Sequence, residues 1–268
     1  MRSDASIPTP ASPVPGTACP YPAWATPVKV PLTVFPEHPC SYLPGRVATS
    51  RGFWAHEIPA GLYHRFMDAG FRRSGKLIYQ PVCQGCRACL PIRVPVKTFS
   101  PDKSQRRCAR KNADLCVTVG PPSLTEEKAE LYRRYITQWH GGEPQTSEEL
   151  AAFLYGSPVD TVEFVYRDAR QKLTAVGICD ICPESLSSVY FYFDPSEANR
   201  SPGTYGALVE VAYARSAGIP YYYLGYWVDQ CQSMSYKCGY QPNEVLHPDG
   251  IWRPGRGALD VGKGAEEQ

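Results

Sequence analysis

Three strand-like runs, 161–167, 173–180 and 188–193, follow one another with only short polar turns between them. A parallel crossover needs a dozen or more residues, so runs joined this tightly must pair as an antiparallel meander. After the meander, 203–217 has helical apolar spacing, with Leu208, Val211 and Ala212 facing inward. Gly218-Ile-Pro220 then leads into the strongly β-forming run Tyr221–Trp227, and a further helix is expected over about 229–238. The expected fold class is therefore α+β, a mixed but mainly antiparallel sheet flanked by helices. No unit repeats at a fixed period.

Upstream, 59–69 reads as a helix with Leu62 and Phe66 on one face, closed by Gly70, and strands are expected at 76–80 and 92–99. Ser123-Leu-Thr-Glu126 and Thr146-Ser-Glu-Glu149 are capping-box patterns, the first opening a helix that Gly141-Gly142 stops, the second a shorter one to about 155. Residues 1–39 carry ten prolines and little periodicity. The organisation implied is a flexible proline-rich arm over 1–37, a basic, cysteine-rich region over 38–120, a catalytic region over 121–252 and a flexible tail over 253–268. No run approaches the 18 or so apolar residues of a membrane helix, and the start lacks a secretory apolar block, so a cytoplasmic protein with no membrane partner is expected.

Charge is distributed unevenly along the chain. Between Arg46 and Lys111 there are 14 Lys or Arg against Glu57, Asp68 and Asp102, a surplus of +11 in a protein whose total is only +2. A basic half joined to an acidic half reads either as a surface facing a polyanion or as two halves that neutralise one another within the fold. Arg106, Arg107, Arg110 and Lys111 form the tightest cluster and are assigned to nucleic-acid phosphates, with ordinary surface charge as the alternative.

Eleven cysteines in a reducing compartment argue against a disulfide framework, and an odd number leaves at least one unpaired. Cys83, Cys86 and Cys89, at intervals of three, can converge on one centre; buried free thiols are the alternative. Cys179-Asp-Ile-Cys182 lacks a second pair of matching spacing, and the five histidines fall in no ligand pattern.

The order of elements in the second half resembles the GCN5-related acyltransferase core. In that superfamily the strand-to-helix junction grips a pyrophosphate through backbone N–H groups. Here the junction is Arg200-Ser-Pro-Gly203-Thr-Tyr-Gly206: its second glycine comes one position late, and Pro202 removes a donor. Coenzyme A is disfavoured accordingly.

A more specific likeness runs through both halves. Phe71-Arg-Arg-Ser-Gly75, Tyr79-Gln-Pro81, the three-cysteine run, Pro91-Ile-Arg93, Ser104-Gln-Arg-Arg107 and Arg110-Lys-Asn112 resemble the aminoacyl-tRNA–protein transferase family. Val189-Tyr190, Asp194-Pro195, Arg200-Ser201, Gly203-Thr-Tyr205, Tyr223-Leu-Gly-Tyr-Trp227 and Met234-x-Tyr236-Lys237 agree independently, and Cys40-Ser-Tyr-Leu-Pro looks closest to the bacterial aspartate/glutamate leucyltransferases. The resemblance implies transfer of an amino acid from charged tRNA, leucine favoured over arginine, to proteins with N-terminal Asp or Glu, marking them for N-degron proteolysis. It also implies Cys40 as a fourth ligand beside Cys83, Cys86 and Cys89, for an iron–sulfur cluster as in the eukaryotic relatives or for zinc.

The chemistry such a reaction needs is modest. The ester donor is already activated, and the attacking α-amine, with a reference pKa of about 7.7–8, is partly neutral at pH 7, so no cofactor is required for transfer. The enzyme must align amine and ester, stabilise the oxyanion and accept a proton. Asp194 is a candidate for the base or for holding the donor ammonium, with Tyr226 and Lys237 beside it as catalytic candidates. Arg72, Arg73 and Arg93, with Tyr79 nearby, are candidates for binding the acceptor's carboxylate, because a guanidinium fork matches it. Tyr226 or Trp227 could stack the terminal adenosine, although rings in a strand are more often core. Two other readings stay open: a coenzyme A-dependent N-acetyltransferase, and a noncatalytic, metal-stabilised RNA-binding module.

Overall fold

The computed structural model describes residues 29–255. Of the arm expected over 1–37 and the tail expected over 253–268, residues 1–28 and 256–268 lie outside the described residues; the described parts are not free, since Thr33–Val34 pairs with Arg51 and Gly52, and Arg253 and Pro254 belong to a strand paired with Glu244–Leu246. An eight-stranded sheet runs in the order Trp252–Pro254, Glu244–Leu246, Leu90–Pro95, Tyr221–Trp227, Ser185–Phe193, Leu173–Cys182, Thr161–Arg167, Cys116–Gly120. All its pairs are antiparallel except Ser185–Phe193 with Tyr221–Trp227. The meander is present as expected, and helices flank the sheet. A smaller four-stranded sheet, Thr33–Val34, Ser50–Trp54, Leu77–Pro81 and Arg72–Ser74, lies to one side, and helix Ala60–Asp68 supplies the apolar contact between the two. Tyr63, Met67, Phe71 and Ile78 pack there against Cys182 and Tyr223 of the large sheet.

The single parallel pair is short. Ser185, Leu186 and Ser187 face Tyr221, Tyr222 and Tyr223, and beyond these residues the two strands no longer pair. A register shift between Tyr223 and Gly225, opposite Arg93 and Ile92, inserts an extra residue just where they part. Gly225 takes φ +92°, a left-handed value that glycine adopts without a Cβ penalty. The sheet therefore opens between its central strands, and the chain from Gln232–Ser235 into the 3₁₀ turn Tyr236–Gly239 packs against the strand Tyr221–Trp227.

Helix Pro202–Ser216 packs on the strand Ser185–Phe193, and helix Lys103–Lys111 packs on that helix in turn. The late glycine of the junction has a packing role: a Cβ on Gly206 would lie 2.3 Å from the Phe191 ring. Pro202 occupies the first turn, and the Arg200 side chain is held by Asp114 and by the Lys111 carbonyl oxygen. The glycine there serves helix-to-sheet contact, and the arginine is already engaged.

Candidate active site

Arg72 and Arg73 are neighbours on a strand, so their side chains leave on opposite faces. Arg73 is fully buried against Asp180: its Nε lies 3.0 and 2.8 Å from the two carboxylate oxygens, and a terminal nitrogen lies 2.8 Å from Oδ1. Its other terminal nitrogen donates to the Gly75 carbonyl oxygen. Asp180 also accepts from Tyr63 Oη and Thr161 Oγ1. Arg73 thus ties the small sheet to the large one, with all three of its nitrogens engaged and its charge paired with Asp180.

Arg72 goes the other way, into the opening between the central strands. It donates to the Gly225 carbonyl oxygen at 3.0 Å and reaches Ser187 Oγ at 3.5 Å, while its guanidinium lies 5.1 Å from the Tyr223 ring centroid and 5.9 Å from that of Tyr226. Its buried Nε has no partner. Lys237 enters from the 3₁₀ turn, its Nζ donating to the Tyr226 carbonyl oxygen at 3.0 Å. Two successive carbonyls, at the bulge and past the point where the parallel pairing ends, are thus taken by two buried cations. Among the described residues no carboxylate stands within ion-pair distance of either. Burial, and then the neighbouring Arg72 charge, bring the Lys237 ammonium down to about 7, against a smaller opposing effect of the Cys231 and Cys89 thiols. Tyr79 pairs with Arg72 across the hairpin, and its ring lies 6.4 Å from that of Tyr226. Arg72, Tyr79, Tyr226 and Lys237 therefore converge.

Asp194 and Arg93 are engaged by other side chains, although Arg93 also donates to Tyr223 Oη at 3.2 Å and so shares that ring with Arg72. Asp194 joins Ser196, Lys172 and Arg134: its Oδ1 accepts from the Ser196 backbone and hydroxyl, and its Oδ2 lies 2.8 Å from Lys172 Nζ. Burial would raise its carboxyl, but the hydrogen bonds from Lys172 and Ser196 and the Arg134 charge outweigh it and bring it to about 2, too acidic to hold a proton at neutral pH. Asp194 here caps the turn Pro195–Arg200. Arg93 is paired with Asp68 and Glu244 at 2.6 and 2.7 Å, and its guanidinium lies 3.9 Å from the Tyr221 ring centroid and 4.3 Å from that of Trp252. It fastens helix, strand and C-terminal hairpin together, with its charge already neutralised. Tyr226 and Trp227 are 4% and 6% exposed, and the Tyr226 hydroxyl donates to the Gly70 carbonyl oxygen, so neither ring is presented to a base.

Helix Lys103–Lys111 begins with a capping box between Asp102 and Gln105 and exposes Arg106, Arg107, Arg110 and Lys111, burying Gln105, Cys108 and Ala109. Arg106 donates to the Pro101 carbonyl oxygen and Lys111 to that of Asn199, and among the described residues none of the four is paired with a carboxylate.

The cysteines expected to bind metal come into one neighbourhood with a fifth that sequence reasoning did not single out, Cys231. Cys40, Cys86, Cys89 and Cys231 pack around Leu43 and Val228. Burial chiefly, then the nearby Cys40, Cys83, Cys86 and Cys231 thiols, push the Cys89 thiol up to about 12. Cys40 accepts from the Leu43 N–H, and Cys83 from that of Thr49. Yet no three His, Cys, Asp or Glu side chains among the described residues stand where they could share a metal ion. As placed, the donor set does not fit an iron–sulfur cluster or zinc. The one available signal for the bulge was the isolated glycine within a β-forming run, Gly225.

Comparison with known proteins covers most of the chain. The family model for the N terminus of arginine-tRNA-protein transferase matches 38–107, and that for its C terminus matches 127–247. The aspartate/glutamate leucyltransferase of Saccharophagus degradans is 43% identical over 214 residues, 78% of this chain and 90% of the relative. Those of Hahella chejuensis and Pseudomonas aeruginosa PAO1 are 39% and 41% identical, over 80% and 78% of this chain and 93% and 90% of theirs. Among solved structures, the C-terminal domain of a putative lysylphosphatidylglycerol synthetase from Agrobacterium fabrum overlaps loosely, with TM-score 0.43 and 14% identity over 70% of this chain and 56% of that one. With both terminal models matched in order and such identity along nearly the whole of these relatives, the chain belongs to the aminoacyl-tRNA–protein transferase family, in its aspartate/glutamate leucyltransferase branch.

Proposed function

We infer that this enzyme moves leucine from charged tRNA to the α-amine of proteins whose first residue is Asp or Glu, creating a destabilising N terminus for regulated proteolysis. The observation that carries this reading is the buried Arg72 guanidinium, lacking a carboxylate partner among the described residues and lying in the same opening as Lys237. Uncompensated buried charge is costly, and an acidic side chain arriving with the acceptor removes that cost. Arg72 binds this carboxylate through its free Nε edge. Lys237, neutral above about pH 7, takes the proton of the acceptor's α-amine.

The amine nitrogen attacks the ester carbonyl carbon, and the C–N bond forms as the C=O pair moves onto oxygen. Collapse of that intermediate breaks the bond to the ribose oxygen, which receives the proton from Lys237. The products are an extended protein and uncharged tRNA, with the lysine neutral again. No redox change occurs and the donor arrives activated, so transfer itself needs no cofactor and no step runs through the cysteines. The tRNA lies along helix Lys103–Lys111, with Arg106, Arg107, Arg110 and Lys111 toward its phosphates. The scaffold follows the GCN5-related order, opened between its two central parallel strands. Charged tRNA and unpaired thiols both belong to a reducing cytoplasm.

The test is one assay with labelled Leu-tRNA and Arg-tRNA against peptides beginning with Asp, Glu, Arg or Lys. Label is expected to pass from Leu-tRNA to the Asp and Glu peptides. Extension of the Arg or Lys peptides instead, or transfer to none, rejects the reading.

A further inference from the structure

A cavity of about 360 Å³ lies between the cysteine loop, the strand Leu77–Pro81 and the turn near 247–250. It touches the candidate active site through Tyr226, whose backbone oxygen holds Lys237 and whose ring lies near Arg72. Arg51 and Arg87 are the arginines of its lining, beside the polar Gln80 and His247. Arg51 donates through Nε to Gln80 Oε1 at 2.7 Å, and Arg87 donates to the Cys83 and Cys86 carbonyl oxygens, each at 2.9 Å. These bonds orient the two side chains without neutralising them. No Asp or Glu lines the cavity, and Asp249, in the adjoining turn, is paired with Arg253. The volume suits one or two residues of an extended peptide, and the unneutralised field selects for negative charge.

We propose that this cavity receives the second and third residues of the acceptor protein and that Arg51 and Arg87 make the enzyme prefer an acidic side chain there. The inference rests on the transferase reading above and extends it. That reading accounts for the first residue of the acceptor, through Arg72. An acceptor held with its α-amine at Lys237 has a chain that must leave the site, and the cavity bordered by Tyr226 is the adjoining space. Gly70, at φ +86° on the cavity wall, keeps that space open, since a Cβ there would lie 3.2 Å from both Leu246 and Pro91 side-chain carbons.

The experiment measures kcat/KM with the full chain, saturating Leu-tRNA and four peptides beginning Asp-Glu, Asp-Ala, Asp-Lys and Ala-Glu. The wild type is expected to favour Asp-Glu over Asp-Ala by roughly 5- to 20-fold, as charge-assisted bonds of this kind give. In the Arg51→Ala/Arg87→Ala variant that ratio falls to about 1, and in Arg51→Glu/Arg87→Glu the preference turns to Asp-Lys. A wild type indifferent to the second residue, or a ratio unmoved by both variants, overturns the proposal. So does a variant that instead loses discrimination between Asp-Ala and Ala-Glu, or one whose defect is a flatter salt dependence of tRNA binding. A wild type that extends no peptide rejects the transferase reading itself, a result distinct from all of these.

Discussion

At the scale of single residues, the contrast between Arg72 and Arg73 decides what each can do. Adjacent on one strand, they look interchangeable in sequence, but the two-residue period of a strand sends one to Asp180 and the other to a site with no acid. Arg73→Ala leaves Asp180 buried and unpaired, so it should lower stability by roughly 3–5 kcal/mol, read as a shifted denaturant midpoint. Arg72→Ala should stay folded and lose roughly 10- to 100-fold in discriminating Asp from Asn peptides; intact discrimination removes Arg72 from the acceptor site. Lys237 gives a pH signature. Its ammonium is brought down to about 7, so the neutral base accumulates as pH rises through that value and kcat should climb across pH 6–8. In Lys237→Gln that limb should vanish, leaving a weaker dependence from the peptide amine, whose own titration NMR measures separately. A profile unchanged by the substitution assigns the proton to another group. Asp194, attractive in sequence because it ends a central strand, is instead paired with Lys172 and Arg134 from other elements.

At the scale of elements, local signals were read well where local physics sets the outcome. The meander, helix Ala60–Asp68 with Gly70 after it, the Thr146 capping box and helix Pro202–Ser216 all follow from periodicity and caps. The helix expected to begin at the Ser123 box is instead capped by Thr125, and both helices of that region end in π-helical turns, Tyr135–Trp139 and Ala151–Tyr155, facing Tyr190. The helix expected over 229–238 is instead two short turns. Packing over the sheet opening shapes that segment more than its propensity does. Helix Lys103–Lys111 carries the element-level prediction. Arg107 and Arg110 lie on its exposed face, so replacing both by Ala should weaken tRNA binding at low salt and reduce the log–log salt slope by about 1.4–1.8, at 0.7–0.9 per phosphate contact. An unchanged slope would place the tRNA elsewhere.

At the scale of the whole molecule, the sheet joins the two halves. Leu90–Pro95 lies between Glu244–Leu246 and Tyr221–Trp227, and Cys116–Gly120 forms the opposite edge, so strands from before residue 121 complete the sheet of the second half. Residues 121–255 expressed alone should therefore lack a cooperative thermal transition, and a sharp melt of that fragment would show a self-sufficient core. Motif order identifies the family, and periods and caps, being short-range effects carried by neighbouring residues, give most of the individual strands and helices. Tertiary structure alone decided which arginines are spent as ion pairs, that Tyr226 and Trp227 are buried, that Cys231 joins the other thiols and that a bulge seats Arg72 beside Lys237. Those outcomes depend largely on partners remote in the chain, 107 positions for Arg73 with Asp180 and 153 for Arg72 with Gly225, and no local pattern encodes what such a partner will neutralise or cover.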